Sequence, residues 1–137
     1  CTNCADPVSL PRQNIKYQVT VANSNGCTNQ DEVSITLICS SGVVYIPNTF
    51  TPNADQKNDV FYPRGKGVKI VNYFRVFDRW GEMVFEKVNF NLNDKAAGWD
   101  GTYKGQKLNP DVYVYVTEMV CDNNETFKLS GNVTLLR

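Results

Sequence analysis

The chain of 137 residues contains no histidine. That removes the side chain most used as a general base near neutral pH, and with it the Ser-His-Asp and Cys-His arrangements of nucleophilic catalysis. Net charge is also missing, because fourteen Lys and Arg balance fourteen Asp and Glu. Such a balance gives no global electrostatic footprint for nucleic acid or for an anionic membrane. No apolar run approaches the ~20 residues that span a bilayer. No glycine-rich loop stands between a strand and a helix to cradle a nucleotide phosphate. Carboxylate pairs such as Asp55 and Asp59 occur, but nothing places them in an apolar cleft that would split their pKa values. The expectation is a protein without enzymatic activity and without a resident cofactor.

What is present favours strands. Seven Tyr, seven Phe and two Trp accompany runs rich in Val, Ile and Thr, and Gly, Asn, Asp and Pro recur between those runs. Tyr17-Gln18-Val19-Thr20-Val21 alternates with the period of a half-buried strand, and Asn23-Ser24-Asn25-Gly26 supplies the turn after it. Glu32 to Ile38 alternates again, with Val33, Ile35 and Leu37 on one face. Two strands bury too little to stand alone, so residues 1–39 read as the end of an immunoglobulin-like module. The start at Cys1 rather than Met agrees with a piece of a longer chain. Cys39-Ser40-Ser41-Gly42 marks the boundary, with 40–42 as linker and 43–137 as a second domain.

That second domain opens on Val43-Val44-Tyr45-Ile46, closed by Pro47, followed by a polar loop from Asn48 to Asn58. Val68 to Asp78 carries two apolar sets, Ile70, Phe74 and Val76 against Val71, Tyr73 and Phe77, as a central strand covered on both sides would. Asp78-Arg79-Trp80-Gly81 reads as a tight turn with an aromatic lid, and Met83 to Glu86 as the returning strand. Val112, Val114 and Val116 alternate with Tyr113, Tyr115 and Thr117 in the strongest strand. Thr126–Leu129 and Asn132–Leu136 follow. About seven short antiparallel strands without helical periodicity predict an all-β, immunoglobulin-like β-sandwich, preceded by the partial immunoglobulin-like module.

Five cysteines, Cys1, Cys4, Cys27, Cys39 and Cys121, in a β-rich chain without His fit disulfides formed in an oxidising compartment. Cys39 and Cys121 each end a strand and pair on topological grounds; the closed loop of about 80 residues would contribute on the order of 4 kcal/mol. Cys1, Cys4 and Cys27 offer one further bridge, with the left-over member open. The loop Asn53-Ala54-Asp55-Gln56-Lys57-Asn58-Asp59 has two readings. Its oxygens at Asn53, Asp55, Asn58 and Asp59 suit a hard cation such as calcium, yet Lys57 stands where a third ligand belongs. The preferred reading is an Asx-turn loop whose side chains satisfy its own backbone. Trp99-Asp100-Gly101 reads as a buried ring followed by a capped turn.

Taken in order, these segments resemble a known family. Ile46 to Asn53, Asp55 with Asn58-Asp59-Val60-Phe61, and Val76 to Phe85 are similar to the gliding motility-associated C-terminal domain, the type B sorting domain of type IX secretion. So are Gly98 to Gly105, Val112 to Val116 and Gly131 to Arg137. The likeness spans 43–137. It departs at Ala54 and Gln56, where the family usually has Gly, and at Asn109-Pro110-Asp111, where Pro-x-Gly is more common. Residues 1–39 resemble, over a shorter stretch, the end of PKD-like or immunoglobulin-like repeats of large adhesins. The resemblance implies a C-terminal secretion and cell-surface sorting signal, on a larger adhesin-like protein exported across the outer membrane to the cell surface or beyond. The implied partners are the type IX translocon, a PorV-like shuttle and a PorP/SprF-like outer-membrane barrel. Docking by β-augmentation is expected at the last hairpin, through Lys128, Leu129, Gly131, Val133, Leu135, Leu136 and Arg137. Two other readings are a structural spacer or adhesin repeat and a calcium-dependent ligand-binding module.

Overall fold

The computed structural model describes residues 8–11, 14–36 and 44–137. The chain divides into two compact units, Cys1–Ile38 and Cys39–Arg137. The first contains an antiparallel hairpin of β1 (Ile15–Ala22) and β2 (Thr28–Ile35), in register from Ile15 opposite Ile35 to Ala22 opposite Thr28. Its turn is built by Asn23, whose side-chain oxygen accepts the amides of Asn25 and Cys27 at 3.0 Å each. Gly26 takes the positive φ of 83° that the turn demands. Because this turn is tight, pairing resumes at once and β2 begins at Thr28, ahead of the expected Glu32; Leu37 lies outside the described residues. Val19, Val21 and Val33 are each more than half exposed, as a two-stranded ribbon with one apolar face requires.

In the second unit the strands are β3 (Val44–Tyr45), β4 (Thr49–Phe50), β5 (Arg64–Gly65), β6 (Val68–Phe77) and β7 (Met83–Phe90). A 3-10 turn, Lys95–Ala97, precedes β8 (Thr102–Tyr103), β9 (Gln106–Lys107), β10 (Asp111–Cys121) and β11 (Thr126–Leu135). Five of them form one sheet in the order β4-β11-β10-β6-β7. The pairs β3–β5 and β8–β9 stand outside it. The architecture is all-β and of the immunoglobulin-like sandwich kind. Its strands are more uneven than the expected seven: β6, β7, β10 and β11 have 8 to 11 residues, while the other five have two each. One pairing is parallel, β4 with β11, inside a segment that reads as loop because Pro47 and Pro52 bracket it.

Aromatic rings bind the two layers. Phe61 and Trp99 exchange both backbone hydrogen bonds, at 2.8 and 2.9 Å, in an isolated antiparallel bridge. Phe61 lies 5.2 Å from Phe74 and 5.6 Å from Tyr115, centroid to centroid, and Trp99 lies 5.0 Å from Tyr113. Phe50, on β4, contacts both at 5.7 and 5.2 Å. The rings, rather than long ladders, close the second layer. Removing one such buried ring costs about 3–5 kcal/mol. The indole N–H of Trp99 donates to the Thr102 carbonyl at 2.9 Å, so burial leaves no orphaned donor.

One irregularity shifts the expected faces. At Asn72 the β6–β10 ladder steps from Tyr73–Glu118 to Val71–Met119, a bulge that reverses the alternation. Val71 therefore joins Phe74 and Val76 in the core, and Ile70 is only half-buried. On β10 the inward set is Tyr113, Thr117, Met119 and Cys121, with Tyr115 packed against it, while Val112 and Val114 face solvent.

Candidate functional site

The last strand begins where β10 turns at Cys121–Glu125 and runs back in unbroken register, Val120 opposite Thr126 to Asp111 opposite Leu135. Its far side meets β4 only at Thr134 and Leu135. There Thr134 donates its amide to the Asn48 carbonyl at 2.8 Å, and Leu136 donates to the Phe50 carbonyl at 3.0 Å. By the two-residue period of a strand, the N–H and C=O groups of Asn132, Ser130 and Lys128 point to the same outer side. Among the described residues no strand pairs with that length of edge. Sequence reading missed β4, and so could not see that one end of the edge is covered and the other open.

The expected docking residues separate into distinct roles. Val133 and Leu135 are fully buried and support the strand from inside. Gly131 faces Tyr115, and a Cβ built there would lie 2.7 Å from the Tyr115 hydroxyl oxygen. Leu129 is half-buried opposite Thr117. Lys128 is exposed and reaches Glu118 at 3.5 Å. Glu118 also accepts from the Asn72 amide at 2.9 Å, and this hydrogen bond, with the Lys128 ammonium second, holds its carboxyl below the ordinary range. Leu136 is exposed. Arg137 is tied down by its guanidinium, which donates to the carbonyls of Leu108 at 3.1 Å and Gly101 at 3.0 Å.

The loop before Phe61 is organised by Asp59. Its Oδ1 accepts the amides of Asn53 and Ala54 at 2.9 and 2.7 Å, and its Oδ2 accepts that of Gln56 at 2.7 Å. Asn53 accepts from the Asp55 amide, and Asp55 from the Lys57 amide. Asn58 contributes a positive φ of 52° and lends its carbonyl to Thr51 at 2.9 Å. Ala54 and Gln56 both stand at φ 68°, the conformation for which glycine is the easy residue. The four oxygen-bearing residues thus fall together in one loop, with the Asp59 carboxylate and the Asn53 side chain turned to the loop's own backbone. Among the described residues no group of three His, Cys, Asp or Glu side chains converges as a metal site.

At the β6–β7 turn Asp78 accepts the amides of Trp80 and Glu82 at 2.9 and 2.8 Å. Trp80 itself is 87 % exposed, which corrects the expectation of an aromatic lid: the indole is offered to solvent and covers nothing. Arg79 beside it is paired with Asp111, and that hydrogen bond sets the Asp111 carboxyl below its usual value. Asp100, by contrast, caps its turn through the amide and hydroxyl of Thr102, at 2.9 and 2.7 Å. Cys121 is buried at the end of β10; Cys39 lies outside the described residues, as do Cys1 and Cys4. Cys27 is a free, exposed thiol.

These features define a small β-sandwich whose long last strand is half covered at its edge, with turns built by Asn and Asp side chains around a dense aromatic core. The model of the CHU_C type IX secretion signal domain matches residues 44–135, and the chain belongs to that family. A search of curated proteins finds no match. A type IX secretion signal is recognised by the type IX secretion machinery and directs export to the cell surface or the extracellular space. The family is one of secretion signals, not of enzymes. Among the described residues no helix is long and apolar enough to cross a membrane.

Proposed function

We propose that residues 43–137 act as the folded C-terminal address of a larger, adhesin-like exported protein, without enzymatic activity of their own. The observation that supports this most is the open outer edge of β11 beside its short cover, β4. An unpaired edge offers alternating donors and acceptors to an added strand, which supplies affinity through the backbone and specificity through flanking side chains. The proposed partners are the translocon, a PorV-like shuttle and a PorP/SprF-like barrel. Lys128, Ser130 and Asn132 present the edge; Leu129, Gly131, Val133, Leu135, Leu136 and Arg137 hold its shape and flank it. A Cys39–Cys121 bridge is part of the same proposal, and peptide mapping of the exported protein without reductant would reveal or refute it.

The test is a periplasmic reporter fused to residues 43–137 in a host that possesses type IX secretion. Surface display is the expected result. Retention of a folded fusion in the periplasm would favour the structural-spacer reading instead.

A further inference from the structure

We propose that a cleft on the second unit binds a phosphate-type oxyanion. The cleft is open, about 450 Å³ in volume, and Lys57, Asn58, Asp59, Tyr62, Arg64 and Lys95 contribute to its lining. Those residues come from three separate places: the Asp59 loop, the segment entering β5, and the 3-10 turn. Three of the side chains are cations, and none belongs to an ion pair among the described residues. The one carboxylate in the lining, Asp59, has both oxygens occupied by three loop amides. Three positive groups against one negative leave a surplus of two, which matches a phosphomonoester or inorganic phosphate near neutral pH.

Arg64 is the sharper observation. Its guanidinium carbon stands 4.5 Å from the centre of the Tyr62 ring, a cation–π contact that holds the side chain against that face. Its Nε is buried and has no hydrogen-bond partner. A buried donor left unpaired in a native fold calls for an account; a small turn of the guanidinium against Tyr62 would bring it to an oxyanion oxygen in the cleft. The backbone beneath is rigid: Asn93 bonds Gly65 reciprocally, accepting its amide and donating to its carbonyl, each at 2.9 Å. Lys95 is held by the 3-10 turn that Asp94 caps through the Ala96 amide at 3.0 Å. Arg64 would grip the oxyanion through directional N–H bonds, with Lys57 and Lys95 as point charges at the rim. The same phosphate chemistry is carried by a free phosphomonoester and by a phosphorylated lipid headgroup. The site stands independently of how the domain is exported.

The experiment is titration of the full chain with inorganic phosphate at constant ionic strength, following the Arg64 side-chain Nε–H by nuclear magnetic resonance, with chloride as control. A saturable shift specific to phosphate is expected, weakened roughly tenfold or more in Arg64→Gln. The exposed pair Lys57→Gln with Lys95→Gln keeps the fold and should weaken binding several-fold, which keeps the test intact even where Arg64→Gln does not fold. An Arg64 resonance that phosphate leaves unmoved, or moves no more than chloride does, overturns the proposal, as does unchanged affinity in the lysine pair. Vesicles of phosphatidylcholine with and without phosphatidic acid then separate the sources. Retention on the acidic vesicles that the lysine pair loses identifies a headgroup; phosphate binding without retention identifies a free phosphate compound.

Discussion

Phe61 and Trp99 are joined by a reciprocal pair of backbone hydrogen bonds, and Gly98 lies against the same bridge with no room to spare. A Cβ at Gly98 would meet Val60 Cγ1 at 2.5 Å, the Phe61 carbonyl oxygen at 2.9 Å and Tyr62 Cβ at 2.9 Å. Two of those three neighbours are backbone or near-backbone atoms that cannot swing aside. Gly98→Ala should therefore cost about 1–3 kcal/mol, the range for overpacking a filled interior. Urea denaturation of the second unit measures it; a variant as stable as the parent would show that the bridge is looser than described.

The Asp59 loop makes a prediction of the opposite sign. Ala54 and Gln56 hold φ values of 68°, where a side chain costs roughly 1–2 kcal/mol relative to the ordinary region. Glycine removes that strain and loses part of the gain to unfolded-chain entropy. Ala54→Gly and Gln56→Gly should each stabilise by about 0.5–1 kcal/mol. Asp59→Ala should destabilise, because three amides lose their acceptor. With its carboxylates turned to the backbone, the loop should melt at the same temperature in calcium and in chelator. A calcium-dependent rise in melting temperature would favour an ion site at Asn53, Asp55, Asn58 and Asp59.

Acid should act through Glu118. Its folded pKa lies below the ordinary value of 4.5 because the Asn72 amide, and then Lys128, favour the ionised form. A depressed folded value means that this contribution is complete above pH 4.5 and is lost as pH falls through the folded pKa. Asp111, lowered by Arg79, adds to the same slope. Thermal melts from pH 6 to below 4 should show the parent losing stability in that window, and Glu118→Gln should lose less. Equal slopes would remove Glu118 from the account.

Much of this fold is legible in the amino-acid order. The alternation of Val112 to Thr117, the Asp78-Arg79-Trp80-Gly81 turn and the burial of Trp99 beside a capped turn all follow from local chemistry. Three features do not. The Asn72 bulge reverses the alternation of β6 without any Gly or Pro to announce it. β4 is two residues long and parallel to a strand more than 80 positions away, so neither length nor spacing betrays it. Lys57, Arg64 and Lys95 are scattered singly in sequence, and only the folded loops bring them to one cleft. The family likeness made the signal readable; the open edge of β11 needed its neighbours to be seen.

The edge of β11 is the physical centre of the proposed function, and proline reads it directly. Ser130 lies on the outward-pointing phase set by Thr134, so Ser130→Pro removes an edge donor while leaving the bonds to β10 in place. The measurement is the fraction of a fused reporter displayed at the cell surface, compared between Ser130→Pro and Ser130→Thr at matched folded abundance. Loss of display in the proline variant alone, with its melting transition retained, is the predicted result. Full display by a folded Ser130→Pro protein would contradict recognition through this strand.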